Sequence, residues 1–115
     1  MGDQSALAMK RSEAVLGALG NPTRRAIVRL LGRGPKPVGE IAAELPISRP
    51  AVSKHLRVLE HAGLVRHEPH GTRNVFRLDR PGFDSARAWL DSFWEHALAR
   101  FAIVAENTRR RRRNE

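Results

Sequence analysis

Between Ser48 and Val65 the chain reads SRPAVSKHLRVLEHAGLV, a stretch that leaves little choice but one capped helix with two unlike faces. Val52, Leu56 and Leu59 recur at i, i+4 and i+7, the spacing of a single helical face, while Arg49, Pro50, Ser53, Lys54 and Arg57 fall outside it. Ser48 offers a hydroxyl to a first-turn amide, and Pro50 sits where amides have no intrahelical partner. Gly63 supplies the stop. One face must pack, and the other stays polar, cationic and free.

The elements around this helix follow from the same kind of signal. Residues 5–19 carry Leu7, Val15, Leu16 and Leu19 among Lys10, Arg11 and Glu13, an amphipathic pattern. Asn21 followed by Pro22 predicts a second helix over Pro22–Leu31, with Thr23, Ile27, Leu30 and Leu31 inward and the Gly32–Pro37 segment closing it. Val38, Ile41, Ala42 and Leu45 predict a short third helix whose start lacks a good capping oxygen. Pro46 then breaks it just before Ser48. Two short helices so joined form a helix-turn-helix.

After Gly63, LVRHEP, HGTR and NVFRL predict a β-hairpin over 64–78 that turns at Gly71. Appended to the helix-turn-helix it makes a wing, with Thr72 and Arg73 at the tip beside the two-faced helix. The expected fold is therefore mainly α with a small β-hairpin, a winged helix-turn-helix. A last helix is expected from about Pro81 to Asn107, and its apolar residues, among them Trp89, Leu90, Phe93, Trp94, Leu98 and Phe101, span about half its circumference. That is wider than one domain's core needs, and a second copy packed through the terminal helices is the economical cover. Leu7, Leu90, Trp94, Leu98 and Phe101 are the expected dimer interface.

Charge narrows the partners. Twenty-one Lys and Arg against 12 Asp and Glu give +9, and removing residues 109–115, five arginines and one glutamate, still leaves +5. A basic body of this kind favours polyanions, nucleic acid before anionic membrane. One domain over 1–108 and a basic, disordered tail over 109–115 are expected. There is no cysteine, which excludes disulfides, thiolate metal sites and thiol redox sensing. With no membrane-spanning run and no secretion-signal pattern at the N-terminus, a cytoplasmic location is expected.

Two blocks, LGNPTRRAIVRLL over residues 19–31 and SRPAVSKHLRVLEHAGLV with its hairpin, resemble the ArsR family of bacterial winged-helix repressors across roughly residues 5–105. The resemblance implies a homodimer that binds an imperfect palindrome in double-stranded DNA and blocks transcription. By position it implies that Arg49, Pro50, Ser53 and Lys54 read bases or contact backbone, with His55 next to them in a packing or phosphate-contacting role. Arg57, Thr72 and Arg73 complete the expected DNA-binding set. Many members sense metals through a Cys-x-Cys pair on the helix matching residues 38–45, which here reads VGEIAAEL. That sensing mode is excluded, and Asp91, Glu95 and His96 do not reproduce the family's other ligand pattern.

Neither a metal site nor a cofactor is expected, and His67 and His70 are read as hairpin surface residues. Arg24 and Arg25 are read as bonding neighbouring carboxylates or carbonyls rather than phosphate, and Trp89 and Trp94 as interface rather than pocket. No nucleophile–base arrangement, phosphate loop or zinc-hydrolase spacing points to an enzyme, so no catalytic residue is assigned. Two alternatives stay open: a basic architectural or RNA-binding protein without a defined operator, and a repressor controlled by a non-thiolate metal or a small molecule.

Overall fold

The computed structural model describes residues 2–114; Met1 and Glu115, the outer ends of the expected 1–108 domain and 109–115 tail, lie outside the described residues. In chain order the elements are α1 (Gly2–Leu19), α2 (Pro22–Leu31), β1 (Lys36–Pro37), α3 (Val38–Ala43), α4 (Arg49–His61), β2 (Val65–His70), β3 (Arg73–Leu78) and α5 (Arg80–Arg113).

Local chemistry sets most of these boundaries. The Asn21 side chain accepts from the Thr23 and Arg24 amides at 2.9 and 3.1 Å, leaving Pro22 in a position where no amide is missed. No side chain caps the start of α3, whose N-cap is Pro37, and Leu45 lies past its last turn. Ser48 accepts from the Ala51 amide at 3.3 Å to open α4. At the other end of α4, Gly63 adopts φ +76°, and Leu64 N–H reaches the Leu59 carbonyl while Gly63 N–H reaches that of Glu60, both at 3.0 Å. This is a Schellman stop. Gly71, at φ +63°, is the first of the two residues joining β2 to β3, where hairpins of this length favour glycine.

The core gathers one to three buried side chains from every element ahead of α5 except β1. Val15 and Ala18 meet Ile27 and Leu31 of α2, Ile41 of α3, the Val52, Leu56 and Leu59 face of α4, then Leu64, Val65 and Phe76. The sheet has order β1–β3–β2, all antiparallel. β1 departs from the expectation of a simple loop over 32–37: Lys36 pairs with Phe76 and Pro37 with Val75. Proline is tolerated there because β1 is an edge strand.

α5 begins with Asp79 accepting from its own neighbour's amide, Arg80 N–H, at 3.1 Å, and docks on the end of α4. Gly82 N–H donates to the Gly63 carbonyl at 2.8 Å, and a Cβ on Gly82 would stand 2.7 Å from the Ala62 and Gly63 backbone. Neither side of that contact can retreat cheaply. Gly82→Ala is expected to destabilise the fold by about 1–3 kcal/mol despite alanine's better helix propensity, read as a lower urea midpoint.

The helix also runs past the expected end at Asn107, through the arginine run to Arg113. The placement of the run as a disordered tail has no counterpart in this secondary structure. Arginine is a good helix former, cations suit a helix C-terminus, and Glu106 lies 4.0 Å from Arg110 one turn on. No helix among the described residues is long and apolar enough to cross a membrane.

Candidate nucleic-acid interface

Because Val52, Leu56 and Leu59 hold one side of α4 in the core, the opposite side is fixed outward. Arg49, Pro50, Lys54 and Arg57 are exposed and Ser53 is half-buried. None of the cations on this face, nor Arg73 on the hairpin, makes an ion pair among the described residues. By contrast Arg66, Arg77, Arg80 and Arg87 each have a carboxylate within 4 Å. Positive charge is thus left unneutralised where α4 faces solvent and compensated along much of the hairpin and the start of α5.

The hairpin stands beside the N-terminal half of α4 and encloses with it a cleft of about 520 Å³. α4 contributes Arg49 and Ser53 to its walls, the hairpin Thr72, Arg73 and Asn74, and residues 37–40 form the rest. Four of the eight expected DNA contacts, Arg49, Ser53, Thr72 and Arg73, therefore converge on one concavity. Pro50, Lys54 and Arg57 lie on the outward surface next to it. Donors in such an array can reach guanine O6 and N7 or phosphate oxygens.

His55 is not brought into this group. It lies on the opposite edge of α4, half-buried, with Nδ1 3.5 Å from the Arg24 guanidinium. Arg24 in turn donates to the Ala18 and Gly17 carbonyls at 2.7 and 3.2 Å, and Arg25 to that of Leu19 at 2.7 Å. Both arginines thus close the end of α1, bonding carbonyls as expected. At the C-terminal end of α4, His67 Nδ1 lies 2.6 Å from Glu60, with its ring against Phe76 at 5.2 Å between centroids. This pair ties the wing to α4. His70 is exposed beside the turn, and no group of three His, Cys, Asp or Glu among the described residues is placed to hold a metal ion.

Sequence reasoning missed Asn74 and the contribution of residues 37–40. A two-residue strand containing proline carries no alternation to detect, yet its pairing with β3 is what carries the start of α3 up to the wing.

On the far side of the domain α1 packs along α5, with Ser12 Oγ donating to the Ala8 carbonyl at 3.0 Å and reaching that of Ser85 at 3.4 Å. Trp89 stacks on Phe93 and lines a shallow groove shared with α1. Beyond it the two helices are uncovered: Leu7 of α1 and Leu90, Trp94, Leu98 and Phe101 of α5 range from 49 % exposed at Leu90 to 72 % at Phe101. Surface of that kind signals an interaction site.

A helix-turn-helix domain family matches residues 19–68, from the end of α1 into the first wing strand. The HTH-type transcriptional regulator Rv2034 of Mycobacterium tuberculosis is 54 % identical over 90 residues, 78 % of this chain and 84 % of its own length. The transcriptional repressor SdpR of Bacillus subtilis is 32 % identical over 79 residues, covering 69 % and 88 %. Among solved structures, a homodimeric winged helix-turn-helix DNA-binding domain from Mycobacterium bovis, Mb0332, a possible ArsR-family transcriptional regulator, superposes with a TM-score of 0.66. It is 30 % identical and covers 85 % of this chain and 91 % of that one. By name the first two are regulators of transcription and the third a possible one. With the two-faced α4, its wing and its unpaired cations in place, the likenesses show that the chain belongs to the ArsR family of winged helix-turn-helix transcriptional regulators.

Proposed function

We propose that this regulator is a homodimeric repressor that lays α4 of each protomer in a major groove of a palindromic operator, with the β2–β3 hairpin as a wing on the flanking backbone or minor groove. The observation that carries this is the row Arg49, Pro50, Ser53, Lys54 and Arg57, outward on α4 and continued by Thr72 and Arg73 across the cleft. His55, turned towards Arg24, is left out of the contact set. Leu7, Leu90, Trp94, Leu98 and Phe101 form the dimer contact, supported by their exposure and by the homodimeric state of the Mb0332 domain. A second copy covers this apolar surface and sets two recognition helices against two half-sites.

Hydroxyl-radical footprinting on the chain's own promoter tests the arrangement. Two protected segments about one helical turn apart, roughly 34–36 Å, are expected, with light scattering giving twice the protomer mass. A monomer that protects no palindrome contradicts it. The run Arg109–Arg113 is proposed as an auxiliary, sequence-independent contact outside the 1–108 domain. Deleting residues 109–115 is expected to flatten the dependence of log K on log salt by about 0.9 for each phosphate it engages, while the preference for operator over random DNA stays unchanged. Parallel titrations at several salt concentrations measure both quantities.

A further inference from the structure

We propose that the cleft between α4 and the hairpin seats one sugar–phosphate strand of the bound duplex, and that Gly39 is the residue that keeps its floor open. The proposal rests on the DNA-binding mode set out above and adds a site and a positioning residue to it.

Glycine at position 39 has no conformational or packing cause. It lies inside α3, where alanine would favour the helix, and it is not among the glycines with positive φ, which are Gly34, Gly63 and Gly71. A Cβ built there would meet one atom only, the Arg49 Nη1 at 3.9 Å. Contrast Gly82, where backbone at 2.7 Å leaves no room for a side chain. The position is solvent-exposed and lines the cleft. What the missing side chain protects is the empty space itself and the Arg49 guanidinium that lies against it.

The surroundings of that space suit a phosphodiester. Arg49 and Arg73 stand on two of its walls, neither paired with a carboxylate among the described residues, and Ser53, Thr72 and Asn74 add uncharged hydrogen-bonding groups. Glu40 is the one carboxylate lining the cleft and is outnumbered by the two guanidiniums. In a helix-turn-helix the second helix occupies the major groove while the first crosses the backbone. Here α3 is that first helix, so the strand between the groove read by α4 and the groove touched by the wing passes over Gly39. Glycine is the residue that permits such close passage.

Binding to a labelled duplex of random sequence tests this, because a backbone contact is felt on any sequence. Gly39→Leu is expected to melt with the parent protein, to bind about tenfold more weakly, and to show a salt slope smaller by about one phosphate contact. Gly39→Gln, which puts a polar chain of similar reach into the cleft, is expected to do the same and serves if the leucine variant does not fold. Gly39→Ala, whose methyl fits at ordinary contact distance, is expected to bind as the parent does. Folded leucine and glutamine variants that bind with parental affinity and slope overturn the proposal, provided that Arg49→Ala and Arg73→Ala weaken binding in the same assay. If those two variants also bind normally, the DNA-contacting face itself has been misassigned.

Discussion

Leu56→Ala is expected to lower the unfolding free energy by about 2–5 kcal/mol, enough to remove a large part of the stability of a domain this size. Leu56 is 1 % exposed at the middle of the inward face of α4, within the cluster that joins that helix to α1, α2, α3 and the hairpin. Truncation leaves a cavity bounded by elements that cannot all close on it, because α4 is held by the Ser48 cap at one end and the Gly63 stop at the other. Urea denaturation measures the change as a lower midpoint at unchanged slope. Lys54→Ala, two residues away but exposed, is expected to shift stability by no more than about 0.5 kcal/mol. A stability loss at Lys54 comparable to that at Leu56 would mean that the two faces of α4 have been exchanged.

The second large effect is on binding. Arg49→Ala and Lys54→Ala are each expected to cost about 1–3 kcal/mol of operator affinity, the range of a lost bidentate base contact. Their outcomes separate two roles. A side chain that reads a base loses discrimination at one operator position, whereas one that grips phosphate weakens all sequences alike and lowers the salt slope. Arg49, which faces the cleft beside Gly39, is expected to act partly through the backbone; Lys54, on the outward surface, through base edges. Competition titrations over single-base operator variants, with both proteins shown to be folded, distinguish these patterns.

Features legible in the sequence were those decided by neighbours along the chain. Asn21–Pro22 places the start of α2 because the cap and the tolerated proline act within one turn, and Gly63 and Gly71 mark the two φ-positive turns on either side of β2. The inward and outward faces of α4 follow from period alone, so Val52, Leu56 and Leu59 are buried where the pattern put them. Contacts between distant segments left no such trace. β1 depends on pairing across about forty residues, and the approach of Gly82 to Gly63 exists only once α5 docks. His55 shows the same limit within the candidate site. It is adjacent in sequence to Lys54, but one step of about 100° turns it towards Arg24 and away from the outward row. The arginine run reads as solvated charge in isolation, while its helical state depends on the apolar helix that precedes it and the Glu106–Arg110 pair.

On the proposed reading, this basic face reads sequence, not merely charge. The ratio of affinities for the footprinted operator and for a scrambled duplex, measured at one salt concentration near physiological, tests it most directly. A ratio of about 10³ or more is expected of a specific repressor. A ratio near one, with binding that merely falls as salt rises, would make the protein a general polyanion binder and not a sequence-specific repressor.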